Sequence, residues 1–262
     1  MDVFLFILKE KQIPFLVKKS IDSNSENLWL INWNDVKPDI ISPKKYISIN
    51  TEPLSVEHCR NNLKYRLSNS LLVIDFTYCN SVYYKEWGCN YFILPFGYSK
   101  LFEKNFPVNK KDIDILFYGS MNKHRCQLFS KLKHYCEAKN LKLVIRGNDL
   151  YDEEEKRDII SRSKVVLSIK SRNDIISNDT IRLSFLATNK VFVIAEKHGD
   201  EEIESKLPLT YFENFDDLLL KLSYFLENEK EREKVSTEVY NYIKKEMNMV
   251  DNFKIPNSIL YP

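Results

Sequence analysis

The chain has 262 residues, 44% apolar and 29% charged, with 39 basic against 37 acidic side chains. With 13% aromatics and a formal net charge of +2, that composition excludes a disordered chain and argues against a dedicated nucleic-acid binder, which shows a basic excess. No apolar run reaches the ~18 residues a membrane span needs. The apolar opening at 2–8 is followed at once by Lys9-Glu10-Lys11 and reads as structure, not as a signal peptide. Cys59, Cys79, Cys89, Cys126 and Cys136 contain no CxxC pair and, with four scattered histidines, no zinc spacing. Reduced, buried cysteines in a cytoplasmic protein are the expectation.

In chain order, β-branched and aromatic runs predict strands at 15–18, 28–31, 46–49, 71–74 and 91–94. Between them, 55–69 and 80–88 read as helices, the first with Val56, Cys59, Leu63 and Leu67 on one stripe. A break follows at Leu94-Pro95-Phe96-Gly97-Tyr98 and the lysine-rich 104–111. The alternation then restarts, with strands at 113–118, 141–146, 164–169, 191–195 and 209–212. Helices are expected at 122–139, 152–161, 179–189, 215–227 and 229–245. Strands alternating with helices mean parallel sheets covered on both faces. Two such series predict two α/β lobes, at 1–105 and 106–247, with a tail at 248–262 packing back on the first lobe. In open α/β sheets ligands bind outside the carboxyl ends of strands, so the cleft between the lobes is the address of the site.

Gly119-Ser120 lies between an apolar strand and a helix whose first turn carries Lys123, His124 and Arg125. Such a turn presents backbone N–H groups at a positive helix end and suits a phosphate, although a βα turn also favours Gly-Ser with no ligand. It is neither GxGxxG nor a P-loop. Asn178 or Asp179 is a natural N-cap, and Arg182, one turn further, opposes the helix dipole and invites an anion. Glu196 ends a strand and is placed for a ribose or sugar hydroxyl. In the first lobe, Glu52 is held extended by Pro53, with Asp75 at the next strand end, and it is a candidate general base. Tyr78, Tyr83, Tyr84, Trp87 and Tyr98 offer stacking surface or core.

The stretch Asp114-Ile115-Leu116-Phe117-Tyr118-Gly119-Ser120-Met121-Asn122, with Arg125 after it, resembles the opening of the nucleotide-binding lobe of GT-B glycosyltransferases. The similarity is to bacterial and viral proteins grouped with family-one glycosyltransferases and the spore-maturation CgeB-like proteins. Asp179-Thr180-Ile181-Arg182-Leu183 and Asn189-Lys190-Val191-Phe192-Val193-Ile194-Ala195-Glu196 look like their "E-T-x-R … N-G-x-x-V-V-S-E" segment. Ile49-Asn50-Thr51-Glu52-Pro53-Leu54 and Leu94-Pro95-Phe96-Gly97-Tyr98 are similar to their first-lobe motifs.

The resemblance implies a nucleotide-diphospho-sugar donor, a UDP-sugar favoured, held by the second lobe without metal or other cofactor and passed to a hydroxyl acceptor. Gly119, Ser120, Lys123, Arg125, Asn178, Asp179, Arg182 and Glu196 form the implied donor set, with Gly97 and Tyr98 between the lobes. The E-x7-E pair of many retaining relatives is absent, its places falling near Ser177 and Phe185, and Lys190 replaces the glycine that usually ends the helix. The first lobe is expected to be short, beginning in or just before its first helix without the strand and glycine-rich loop of the relatives. The alternative is a truncated, non-catalytic nucleotide-sugar-binding protein. A modified base in DNA is a less favoured acceptor, read by Lys18, Lys19, Lys44, Lys45 and Lys64. The expected location is cytoplasmic, the host cytoplasm for a viral protein.

Overall fold

A computed structural model describes residues 2–17, 29–32, 46–104, 106, 110–147, 152–171, 175 and 180–255. Helix α1 (Asp2–Glu10) precedes strands β1 (Trp29–Asn32), β2 (Tyr46–Asn50), β3 (Leu72–Asp75) and β4 (Tyr91–Ile93). All four pair in parallel in the order β1-β2-β3-β4, with α2 (Glu57–Ser68) and α3 (Ser81–Glu86) in the crossovers. The strands read as near-continuous apolar runs because both faces are covered. Ile47, Ile49, Leu72 and Ile74 share one core with Phe4, Ile7 and Leu8 of α1. Tyr46 and Val73 point the other way, onto Leu63 and Leu67 of α2 and Tyr84 of α3.

The run expected as a strand at 15–18 is not one over 15–17, and Lys18 lies outside the described residues. Phe15, Leu16 and Val17 stand exposed. An apolar stretch becomes a strand only where a neighbour offers a ladder, and β propensity alone does not supply one.

The second half contains β5 (Ile113–Tyr118), α4 (Lys123–Ala138), β6 (Leu143–Arg146), α5 (Glu153–Ser161), β7 (Ser163–Ser168) and α6 (Thr180–Thr188). It continues through β8 (Val193–Glu196), α7 (Glu201–Glu204), β9 (Thr210–Phe212), α8 (Phe215–Glu227) and α9 (Glu229–Glu246). Its five strands are parallel, in the order β6-β5-β7-β8-β9. Phe129 and Leu132 of α4 and Leu218 and Leu222 of α8 cover one face. Ile159 and Ile160 of α5 and Leu183 and Leu186 of α6 cover the other. The direction of winding reverses between β5 and β7, and this opens a crevice at their carboxyl ends.

After α9 the chain returns to the first sheet. Tyr98 N donates to the Met247 carbonyl at 3.0 Å, Met249 N donates to the Tyr98 carbonyl at 3.0 Å, and α10 (Met249–Asn252) follows. Met249, Phe253 and Ile255 are buried in the same core as α1.

Four helices stop in one way. The second residue past each end has positive φ: Gln12 (56°), Gly88 (65°), Asn140 (53°) and Lys190 (53°). The next N–H then reaches back five residues, as from Ile13 to Leu8 (2.9 Å), Cys89 to Tyr84 (2.9 Å), Leu141 to Cys136 (2.8 Å) and Val191 to Leu186 (3.0 Å). This is the Schellman closure, which satisfies carbonyls that the helix end orphans. At Lys190 the chain therefore keeps the left-handed backbone that a glycine usually provides.

Candidate active site

Gly119 follows β5 with φ +139°, a conformation L side chains rarely adopt. A Cβ there would stand 3.0 Å from Nη2 of Arg182, so the bare backbone is also what lets the guanidinium lie against the turn. Arg182, from the first turn of α6, covers the Tyr118 ring at 4.9 Å. The α6 amino terminus and the end of β5 are thereby joined at the crevice. Ser120 and Lys123 are exposed beside them.

Arg125 has a different role from the one expected. It is 5% exposed, and Nη1 donates to the Ser120 carbonyl (2.6 Å) and to Ser120 Oγ (3.2 Å). Nε and Nη2 both donate to the Ile169 carbonyl, at 3.2 and 2.6 Å, and the group lies 5.1 Å from the centre of the Phe117 ring. The guanidinium is committed to the carbonyls after β5 and β7, so it holds the two lips of the crevice together instead of offering a fork to an anion. Asn122 caps α4, its Oδ1 accepting from Arg125 N at 3.0 Å.

Glu196, buried at the end of β8, accepts from His124 Nε2 at 3.0 Å on both oxygens and from Lys170 N at 3.0 Å. Lys170 Nζ stands 3.8 Å from Oε1. A carboxylate only accepts, so the imidazole Nε2 carries the hydrogen. His124 and Lys170 are the members of this cluster absent from the expected set. The signals for them are a histidine in the α4 first turn and a lysine two residues beyond a buried strand. Asn178 and Asp179 lie outside the described residues.

In the first half the expected acid pair separates. Asp75 is 1% exposed and accepts from Tyr84 Oη, from Asn80 Nδ2 and Asn50 Nδ2 at 2.9 Å each, and from Thr77 N at 2.9 Å. Burial pushes its carboxyl above the usual carboxylate range, against the pull of these donors. With its oxygens engaged it organises the turn after β2, since Asn50 and Asn80 also donate to the Glu52 carbonyl. The Glu52 side chain is half-buried, with Oε2 3.9 Å from Cys59 Sγ of α2.

A cleft of about 340 Å³ lies between the two halves, at the carboxyl edge of the first sheet. Phe4, Thr51, Phe76 and Phe96 line it from the first half and Ile181 of α6 from the second. Among the described lining residues Asp2 is the carboxylate. Beyond it, Thr77 Oγ1 donates to Asp200 Oδ2 at 3.0 Å and ties the halves directly. Burial pushes the carboxyl of Asp200 up and holds the Cys79 thiol at about 12. Gly97 is buried where Met247 crosses it: a Cβ would meet the Met247 carbonyl oxygen at 1.9 Å.

Most of the aromatic set is packing. Tyr84 is fully buried, Tyr83 and Trp87 pack beside it, and Tyr98 meets Tyr240 edge-on. Of the five lysines proposed to read DNA only Lys64 is described, and it lies 5.7 Å from the centre of the Trp87 ring. Cys136 alone of the cysteines is buried, and Cys126 is exposed on the outer side of α4. Among the described residues no three His, Cys, Asp or Glu side chains group as metal ligands, and no helix is long and apolar enough to cross a membrane.

The doubly wound parallel sheet, its winding reversed between β5 and β7, defines a Rossmann-like α/β fold. A family model described as glycosyl transferase-like matches residues 106–254, more than half of the chain, and the protein belongs to that family. A search of curated proteins finds no match.

Proposed function

We propose that the chain transfers a sugar from a nucleotide-diphosphate donor, a UDP-sugar, to a hydroxyl acceptor. The donor lies on the carboxyl edge of the second sheet, which forms the donor unit at 106–247, and the acceptor on that of the first. The observation that supports this most is Arg182 laid against Gly119 at the switch point. Lys123 is exposed in the first turn of α4, the helix that begins four residues after Gly119. Charge builds on the departing diphosphate as the glycosidic bond breaks. Fixed cations and N–H groups stabilise it there without reorganising, which is usually the largest single contribution to such a step. Glu196, oriented by His124 and Lys170, accepts a hydroxyl of the ribose or the sugar. The proton of the attacking hydroxyl passes to Asp2, the carboxylate of α1 that lines the cleft, while Glu52, the base expected from the sequence, stands against Cys59 of α2.

Titration calorimetry with UDP-glucose and the corresponding GDP, ADP, CMP and dTDP sugars tests the donor half. One of them binds, and Arg182→Ala weakens it tenfold or more, about 1.4 kcal/mol. Equal affinity in the variant removes Arg182 from the site, and binding by none of them overturns the donor reading.

A further inference from the structure

We propose that the acceptor is a small, apolar, ring-bearing alcohol, an aryl or fused-ring hydroxyl compound, seated in the cleft beside Ile181. The proposal rests on the glycosyl-transfer reading above. The cleft, about 340 Å³, is of small-molecule size. Its floor is built from phenylalanine rings that are already fixed by packing. Phe76 and Phe96 stack with centroids 3.9 Å apart and planes at 28°, and Phe4 meets Phe76 at 5.5 Å. Among the described lining residues only Asp2, Thr51 and Lys104 bring a polar side chain.

A saccharide acceptor fits this wall badly. Each sugar hydroxyl buried against a phenyl ring without a partner loses its hydrogen bonds to water. An apolar ring in the same place gains by leaving water. The three polar groups suffice to orient one hydroxyl and not a chain of them. Position points the same way: Ile181 forms the wall nearest the second sheet, and the next residue, Arg182, is the one against Gly119. A hydroxyl at this end of the cleft faces the donor site. In the step that follows, its oxygen bonds to the anomeric carbon, the bond from that carbon to the diphosphate oxygen breaks, and the nucleoside diphosphate leaves. The hydroxyl proton goes to the carboxylate of Asp2.

The test is fluorescence titration of the full chain with 4-methylumbelliferone, a two-ring aryl alcohol, in the absence of nucleotide. Saturable binding is expected, weakened tenfold or more by Ile181→Glu and unaffected by maltotriose. Ile181 is 47% exposed and Leu220, on α8, 71%, so neither substitution to glutamate disturbs a core, and Leu220→Glu leaves the binding unchanged. Absence of saturable binding, displacement by maltotriose, or an Ile181→Glu variant that binds equally well overturns the proposal. Calorimetry with the same five nucleotide sugars on the same preparation separates the two readings. Donor binding without coumarin binding refutes the acceptor class alone. Coumarin binding with no nucleotide-sugar binding overturns glycosyl transfer, and the acceptor assignment with it.

Discussion

His198 and the paired arginines show how single residues acquire roles from partners far along the chain. His198 is 9% exposed, and its Nδ1 donates to the Glu196 carbonyl at 2.8 Å. Burial lowers the pKa of the imidazole, while that hydrogen bond and the nearby Glu196 and Glu204 oppose the shift. The unfolded chain takes up the proton near ~6.5, the native chain only at lower pH. Stability is therefore unaffected above the unfolded value and is lost as pH falls through it toward the native one. Comparing wild type with His198→Gln by urea unfolding, from about pH 7.5 to about 5.5, the stability advantage of wild type shrinks as pH drops across the ~6.5 reference. A constant difference would remove His198 as the cause. Arg125 and Arg182 look alike in the sequence, each a cation in a helix first turn. Only the fold separates the staple across β5 and β7 from the group lying on Gly119. The partners of Glu196 were hidden for the same reason, since His124 stands 72 residues away and Lys170 stands 26.

At the scale of elements, the strands were legible because a parallel strand buried on both faces is written as an apolar run. The strand expected at 113–118 and β5 coincide. The type of α1 was not legible, and α7, α10 and the 3-10 turn at Lys100–Phe102 are too short to show a period. Helix ends were half legible. The chain has only five glycines, so three of the four Schellman positions carry other residues. Left-handed backbone at such a residue is a cost that glycine removes, less the extra entropy glycine brings to the unfolded chain. Gln12→Gly is expected to raise stability by about 0.5–1 kcal/mol in urea unfolding. Lys190→Gly gains less, because it gives up a cation held 4.8 Å from the centre of the Tyr240 ring. Equal gains would show that the cation contributes nothing.

Over the whole molecule, the two sheets are joined by the Thr77–Asp200 hydrogen bond, by Asn189, and by the crossing at Gly97. Asn189 Nδ2 donates to the Phe102 carbonyl at 2.7 Å, and its Oδ1 accepts from Lys104 N at 2.9 Å. The crossing has no room for a methyl group, since its neighbour is backbone and not the end of a flexible side chain. Gly97→Ala is expected to cost about 1–3 kcal/mol, as overpacking does in a filled core. Faster hydrogen exchange should appear at the Tyr98 and Met249 amides; a variant as stable and as protected as wild type would mean that the strands part without cost.

The return of the chain to its first sheet also bears on how the protein is made. Phe4, Ile7 and Leu8 share their core with Met249, Phe253 and Ile255. When β4 leaves the ribosome, α1 is present to cover part of that face, but the segment carrying Met249, Phe253 and Ile255 has not been synthesised. At roughly 5–20 residues per second the nascent first sheet waits on the order of ten seconds with apolar side chains open to water. The second sheet, whose strands and covering helices are contiguous, is complete before then. The usual vectorial order is thus inverted, and the amino-terminal half, translated first, is the last to become native and the one exposed longest to chaperones and proteases.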